Sequence, residues 1–498
     1  MTFMPIPPKH PTAALALALA LASFAAEAAD AGDVKEQASD AFGSRIGIES
    51  IGLYSESLVR GFDLQQAGNY LLGDAYFVRA AAPPDTLVGG SQIRVGPNAL
   101  DIGFPAPSGI VQYQLLPGDR TRARIELGFQ HLLDTNPRPY LRSHFGYRPD
   151  DGRFSLAGGV IGSPSARYIF GNNARYHSVG LVPRLDLGEH WKATAFYGYY
   201  DQRYQADVGF EPAAGRMPHP DRLEYLGQRW SRFDTRNTTY GTILASQPRE
   251  GRWDVRLSGV HSRVQRPRSD FNIFSDVTTE GAADALVSVA RDRAVFSRAY
   301  EASAGRDWTT PDRRDRVTLL ARLRDSDYTS PQVDTYTLGE VSLFDPVPQM
   351  REPSTVARAQ ARSGIEQREL GLGWQRQWQY GAALNLGLRR VGLEESATST
   401  GGVRDGRGGH AWLYNASAVL PVGARATAFA SLVRGIEEAG VAPQHAKNAF
   451  EVLPPAMARQ SELGMKWQAG QGMTLIGTLF EISLSLHRDS TGMAVTVS

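Results

Sequence analysis

The side chains best suited to chemistry here are the histidines, acids and arginines, and their spacing decides between catalysis and recognition. Ten histidines are spread over 498 residues. His144, His177, His190 and His261 stand far apart, none at the H-x-x-x-H spacing that brings two imidazoles to one metal ion. Asp276, Asp284, Asp325 and Asp327 lack the spacing of a calcium loop. No G-x-S-x-G elbow presents a serine nucleophile, and no P-loop or dinucleotide fingerprint occurs. No enzyme activity, resident metal or cofactor is expected. What remains is arginine. Arg60, Arg79 and Arg94 lie among short apolar runs, where a guanidinium meets a carboxylate or a ligand anion through charge-assisted hydrogen bonds.

The elements that must position these arginines lie between residues 58 and 118. They read Val-Arg-Gly-Phe at 59–62, Leu-Leu-Gly-Asp-Ala-Tyr-Phe-Val-Arg at 71–79, Ile-Arg-Val-Gly-Pro-Asn-Ala-Leu at 93–100 and Ser-Gly-Ile-Val-Gln-Tyr-Gln-Leu at 108–115. Runs of this length, rich in β-branched and aromatic residues and broken by Gly and Pro, are short strands joined by tight turns. Gly61, Gly73, Gly96 and Gly109 are the turn residues, and Pro83-Pro84 marks a loop over 80–85. The texture changes near 117–119.

From 121 onward the period is two. Ala123, Ile125, Leu127 and Phe129 alternate with Arg122, Arg124 and Glu126, and Val317, Leu319, Ala321 and Leu323 alternate with Thr318, Leu320, Arg322 and Arg324. Similar runs recur at 141–147, 191–200, 253–259, 370–374, 382–388 and 426–432. A tilted strand of roughly 9–11 residues with one apolar face is the unit of a membrane barrel. Connections alternate between short (149–152, 248–251, 311–313, 421–423) and long (201–222, 265–293, 325–363, 394–409). A soluble sandwich or propeller has no need of long loops gathered at one end. Tyr147, Trp191, Tyr199, Trp253, Trp308, Trp374 and Trp378, near strand ends, suit interfacial girdles.

Composition bounds the partners and the compartment. Lys plus Arg is 53 against Asp plus Glu at 52, which gives no electrostatic footprint for nucleic acid. There is no Cys, hence no disulfide framework. With 51 Gly, 19 Tyr, 20 Phe and 8 Trp, the composition alone fits a membrane barrel or a soluble propeller equally. The start of the chain favours export: Lys9 and His10 precede an apolar stretch at 13–22, and Ala26-Glu27-Ala28 offers the small residues a signal peptidase reads. Residues 1–28 are predicted to be a signal peptide and 29–45 a flexible arm.

The order of the four elements between 58 and 118 resembles the plug domain of TonB-dependent outer-membrane receptors. The correspondence falls on Arg60, Gly61 and Phe62, on Gly73 and Asp74 (in reverse of the usual Asp-Gly order), and on Arg94, Gly96 and Pro97. A second patch resembles the siderophore-receptor branch: Arg434-Gly435, Leu453-Pro454-Pro455, Gln-Ser-Glu-Leu-Gly-Met-Lys at 460–466, then Leu-Phe-Glu-Ile at 479–482. The resemblance implies a plug at 46–118 and a barrel at 119–498. The fold class expected is a transmembrane antiparallel β-barrel, incomplete relative to about 22 strands, with a small N-terminal mixed α/β plug. It is expected to lack the last barrel strands, since no terminal aromatic closes the chain. The segment 30–37 does not match the TonB-box consensus of the family.

The resemblance further implies a receptor for uptake of a ferric siderophore or a similar large scarce solute. TonB with its inner-membrane energising complex and outer-membrane lipid would be its partners. A truncated non-transporting fragment and a passive porin-like channel are the alternatives. In such a molecule Arg60, Arg79 and Arg94 pair with carboxylates facing the lumen or contact ligand, because an enclosed plug must pair the charges it buries. Tyr204, Arg222, Tyr225, Arg266 and Arg268, in or beside the long loops, are either solvated or in contact with an anionic chelate.

Overall fold

The computed structural model of the protein describes residues 44–46, 49–51, 54–56, 58–60, 62–64, 69–95, 99, 102–107, 109–130, 138–166, 174–213, 215–218, 225–354, 356, 359–437, 453, 455–470, 473–486 and 496–497. The expected signal peptide lies outside the described residues, as does the arm up to position 43.

The first strands are short: β1 (Ser44–Ile46), β2 (Glu49–Ile51), β3 (Leu58–Val59), β4 (Phe62–Asp63), β5 (Tyr70–Leu72), β6 (Ala75–Phe77), β7 (Val88–Arg94) and β8 (Ile110–Leu115). Six of them form one sheet in the order β2-β1-β7-β8-β5-β6, and β3 pairs with β4 beside it. The β5–β6 hairpin explains the inverted Gly-Asp order. Leu72 pairs with Ala75 across a loop of Gly73 and Asp74. Gly73 has φ 61°, and Asp74 is not among the residues of positive φ. That is the pattern of a type II′ loop, in which glycine leads. Tyr70 stacks on Tyr113 at 6.2 Å between ring centroids, Phe77 meets both at 5.9 and 6.0 Å with its ring tilted or edge-on, and the three fill the sheet's core with Leu64, Leu72, Val88 and Val111.

Around this sheet runs the barrel: β9 (Arg122–Gln130), β10 (Arg138–Tyr147), β11 (Phe154–Ala166), β12 (Ala174–Leu187), β13 (Trp191–Gln205), β14 (Asp207–Pro212), β15 (Phe233–Ser246), β16 (Trp253–Val277), β17 (Ala282–Thr310), β18 (Arg313–Pro331), β19 (Asp334–Ser342), β20 (Gln360–Trp378), β21 (Ala383–Thr398), β22 (Arg404–Val422), β23 (Ala426–Glu437), β24 (Ala456–Gly470), β25 (Met473–Leu486) and β26 (Thr496–Val497). The pairings close into a ring, through β26 back to β9. The β26 contact consists, among the described residues, of Leu484↔Val497 and Ser485↔Thr496. From β9 to β26 the paired strands are antiparallel, as hairpin connections require, except for β14, which runs parallel to β16.

The period-two pattern decides which way each residue faces. On β18, Leu319 and Leu323 point outward and are about half exposed, while Leu320 and Arg324 point inward and are buried. The outward apolar run on β16, from Trp253 to His261, spans about 26 Å at ~3.3 Å per residue, close to the thickness of the hydrocarbon layer that a barrel's band matches. Trp191, Trp253, Trp308, Trp374 and Trp378 all lie toward the end of the short turns, so the girdle is strongest on that side. At the opposite margin Tyr240 stacks on His261 at 4.8 Å, and the Tyr300 hydroxyl lies 3.1 Å from its ring nitrogen. Among the described residues no helix is long and apolar enough to cross a membrane.

Two of the expected long loops are largely strand. Residues 265–293 form the continuation of β16 and β17, 25 and 29 residues long, joined by a tight turn at 278–281. They rise beyond the apolar band and carry β14, parallel to β16, and β19, antiparallel to β17. Phe274, Val277, Ala283, Ala285, Val341, Leu343 and Val347 bury one another in a second small core there. The many Arg, Asp and Ser residues of 265–293 mask the alternation that builds this extension. Residues 394–409 likewise form the upper ends of β21 and β22 around a turn at 399–403.

Candidate functional site

The plug meets the barrel at several separate places among the described residues, and an enclosed ion pair joins the two at Arg60. Its guanidinium forks onto Glu462 of β24, with NH2 donating to Oε1 at 2.9 Å and NH1 to Oε2 at 3.3 Å. Both side chains are almost completely enclosed. Gln460 donates to Glu462 Oε2 at 2.7 Å, and the Phe480 ring of β25 lies 4.2 Å from the guanidinium carbon. Arg60 stands 402 positions before Glu462, whereas Gln460, Glu462 and Phe480 lie in two motifs on the paired strands β24 and β25. The fold brings them to one point.

On β11, β12 and β13 the barrel is shaped to admit the plug's backbone. A Cβ at Gly180 would lie 2.1 Å from the Thr86 carbonyl oxygen, and one at Gly198 would lie 2.9 Å from Leu87 and Pro84 side-chain atoms. Glycine is required at 180 because no side chain fits between the two backbones. Thr86 and Ser178 hydroxyls hydrogen-bond at 2.8 Å in this buried contact, and Arg184 donates to the Leu116 carbonyl at 2.7 Å.

On the opposite wall ion pairs run between neighbouring barrel strands, and the plug rests against them through Tyr76 and the Ile102 carbonyl. Arg322 of β18 lies between Glu301 of β17 (2.8 Å) and Glu369 of β20 (3.4 Å), and Arg389 of β21 shares Glu369 at 3.0 Å. Tyr76 of the plug packs its ring 3.7 Å from the Arg322 guanidinium carbon and accepts from Arg324 at 3.3 Å. Asn385 donates to the Ile102 carbonyl at 2.7 Å.

The other expected arginines turn inward on the plug itself. Arg79 donates to the Tyr113 hydroxyl at 2.8 Å and lies 4.0 Å from Glu56; Glu56 in turn accepts from Tyr113 and Ser91. Burial pulls the Arg79 guanidinium down, but Tyr113, Tyr70 and Glu56 outweigh it and hold it above its ordinary value. Burial pushes the Tyr113 hydroxyl up, so it stays protonated as a donor to Glu56. Arg94 donates to Gln112 at 2.8 Å. Asp74 sits in the β5–β6 turn and faces a cavity. Gly61, Gly96 and Pro97 lie outside the described residues, and of Phe62 only the backbone, in β4, is described.

At the loop end, Tyr204 lies between the guanidinium groups of Arg175 (4.7 Å) and Arg232 (5.1 Å). Tyr225 bonds Ser231 and Asn272, and Arg266 lies over the Phe233 ring at 5.0 Å. Arg268 pairs with Asp270 at 2.7 Å and Glu352 at 2.9 Å. Burial lowers the Arg268 guanidinium, and the bond to Asp270 more than offsets it. Arg222 lies outside the described residues. Among the described residues no group of His, Cys, Asp and Glu could hold a metal ion.

A six-stranded domain seated inside a closed antiparallel barrel defines the class: a plugged β-barrel with the fold of solved ferric-siderophore receptors. BauA, the ferric preacinetobactin receptor from Acinetobacter baumannii, is similar over 86% of this chain and 64% of its own, with TM-score 0.67 and 16% identity. The ferric-catecholate import receptor Fiu from E. coli K12 in its closed form is similar over 92% and 72%, with TM-score 0.67 and 14% identity. The ferripyoverdine receptor of the outer membrane of Pseudomonas aeruginosa is similar over 86% and 58%, with TM-score 0.63 and 12% identity. The chain therefore spans less than two thirds of BauA's length. No family model and no curated protein matches the sequence. At the level of the fold, the resemblance to TonB-dependent siderophore receptors holds.

Proposed function

We propose that this chain is a TonB-dependent outer-membrane receptor for a ferric siderophore or a similar large, scarce solute. Residues 1–28 direct export, 46–118 form the plug and 119–498 the barrel. Capture occurs at the loop end, where β14, β19 and the extensions of β16 and β17 build a raised rim. Energy from TonB and its inner-membrane complex then moves the plug. The chain catalyses no reaction; its chemistry is binding and release.

The observation that carries this reading is the Arg60 junction. A bidentate, enclosed ion pair with a ring stacked beside it holds the plug inside the lumen. A passive porin-like channel has no use for a lumen filled in this way. One observation favours a barrel that binds without transporting: the ring closes through β26, which meets β25 in two residue pairs among the described residues.

Binding is tested on the purified protein by titrating ferric catecholates, ferric citrate and ferric hydroxamates against tryptophan fluorescence. Saturable quenching by one class at micromolar or lower concentration is expected. Indifference to every chelate would contradict the reading.

A further inference from the structure

The outer face of the wall carries a hollow that has nothing to do with the plug. It measures about 920 Å³ and opens outward across β16 to β22. Its shape follows from side-chain size. Leu257, Ala302, Ala321, Leu370, Arg390 and Trp412 face outward side by side in one row of the strand ladder. The two alanines leave a trough between the larger exposed side chains of Leu257 and Leu370. One row nearer the rim stand Tyr300, Leu323, Arg368, Gly392 and His410, and the missing side chain at Gly392 prolongs the trough. The third row holds Arg298, Asp325, Glu366, Glu394 and Gly408.

The charges around the hollow do not all find partners in the wall. Glu301, Arg322 and Glu369 belong to the inward network behind its floor. Arg298 pairs with Asp325 at 2.7 Å, and Arg368 donates to Glu366 at 2.8 Å. Arg390 and Glu394 are left over. The Arg390 guanidinium carbon lies 5.3 Å from the centre of the Trp412 ring, and the side chain has no ion pair or hydrogen bond among the described residues. Glu394 stands directly opposite Glu366, which stands directly opposite Asp325, and like charges so placed repel. On β20 and on β21 the outward order toward the rim is therefore apolar, basic, acidic: Leu370, Arg368, Glu366 and Leu388, Arg390, Glu394. A zwitterionic phospholipid has the matching order of acyl chain, phosphate and ammonium. An unpaired arginine on a face that meets hydrocarbon is costly, and a lipid phosphate removes that cost through a charge-assisted hydrogen bond. A lipid with phosphate alone would leave the carboxylate row without a counter-charge. We propose that this hollow holds one amine-bearing phospholipid of the phosphatidylethanolamine kind. Its acyl chain lies over Ala302 and Ala321, its phosphate on Arg390 and its ammonium at Glu394. The site rests on the outer-membrane reading of the barrel and is independent of the solute carried.

The test is native mass spectrometry of the full chain in detergent micelles, supplied with equal amounts of phosphatidylethanolamine, phosphatidylglycerol and an amine-free lipid A. Phosphatidylethanolamine should be retained at least about fivefold over the other two. Filling the trough with A302L and A321L together should lower its retention at least about fivefold, and so should R390Q. E394Q should leave phosphatidylethanolamine bound but bring it level with phosphatidylglycerol. Arg390 and Glu394 are exposed, so these two variants keep the test open where the packed double variant does not fold. Each protein is first checked for a band that shifts on boiling in SDS. Equal or better retention of phosphatidylglycerol or lipid A by the parent overturns the site, as does unchanged retention in R390Q or in the filled trough. Either result leaves the receptor reading standing. A parent chain that shows no heat shift and retains no lipid overturns the membrane reading together with the site.

Discussion

At the scale of single residues, Arg60 and Gly180 represent the two ways this plug is held. The pair Arg60–Glu462 is enclosed, and removing one charge from an enclosed pair costs about 3–5 kcal/mol because the other is left without compensation. E462Q is therefore expected to lower the unfolding temperature in detergent and to let large antibiotics leak into cells. A variant that matches the parent in both assays would show that the pair does not hold the plug. Gly180 is a question of space. G180A forces a methyl against the Thr86 carbonyl and should cost about 1–3 kcal/mol as overpacking does, whereas G477A, with nothing within 4 Å of its Cβ, should be close to neutral. Equal effects of the two in thermal melts would contradict the close approach. Arg60 stands out in the sequence as part of a motif, and Glu462 stands in another. Their pairing is not legible there, because 402 positions separate them and only the curvature of the wall brings them together. Tyr76, Arg322 and Glu369 gave no sequence signal beyond ordinary alternation.

At the scale of elements, the barrel strands are legible wherever one face meets lipid and the other meets the plug or water. Alternation then has a sharp amplitude, as in Val317 to Leu323. Beyond the band both faces meet water or protein, the amplitude falls, and the upper parts of β16 and β17 read as polar loop. The triad that organises this rim is the buried Asp270 with Arg268 and Arg291. Asp270 also accepts from the Arg232 backbone at 3.0 Å, tying the segment before β15 to the rim. D270N should loosen the rim locally. Hydrogen exchange is expected to quicken at 225–232 and 343–350 and to stay unchanged in β16 between Trp253 and Val260. Uniform acceleration through the barrel would show instead that the rim and the wall form one cooperative unit.

The whole molecule combines an outward apolar band, a girdle weighted toward the turn end, a lumen that holds the plug and a rim of extended strands. A closed β-barrel satisfies its backbone hydrogen bonds without edges, which is what a hydrocarbon environment demands. The ring seen here closes through a short strand, so resistance of the unheated protein to SDS is a direct probe of that closure. A band that shifts on boiling is expected; identical migration before and after boiling would contradict a closed barrel. The most direct test of the central claim is uptake of radiolabelled ferric chelates by cells that carry this protein, with and without an intact energising complex in the inner membrane. Saturable uptake of one chelate class that disappears when the complex is removed is expected. Uptake that persists without the complex, or no uptake in cells whose outer membrane holds the folded barrel, would contradict it.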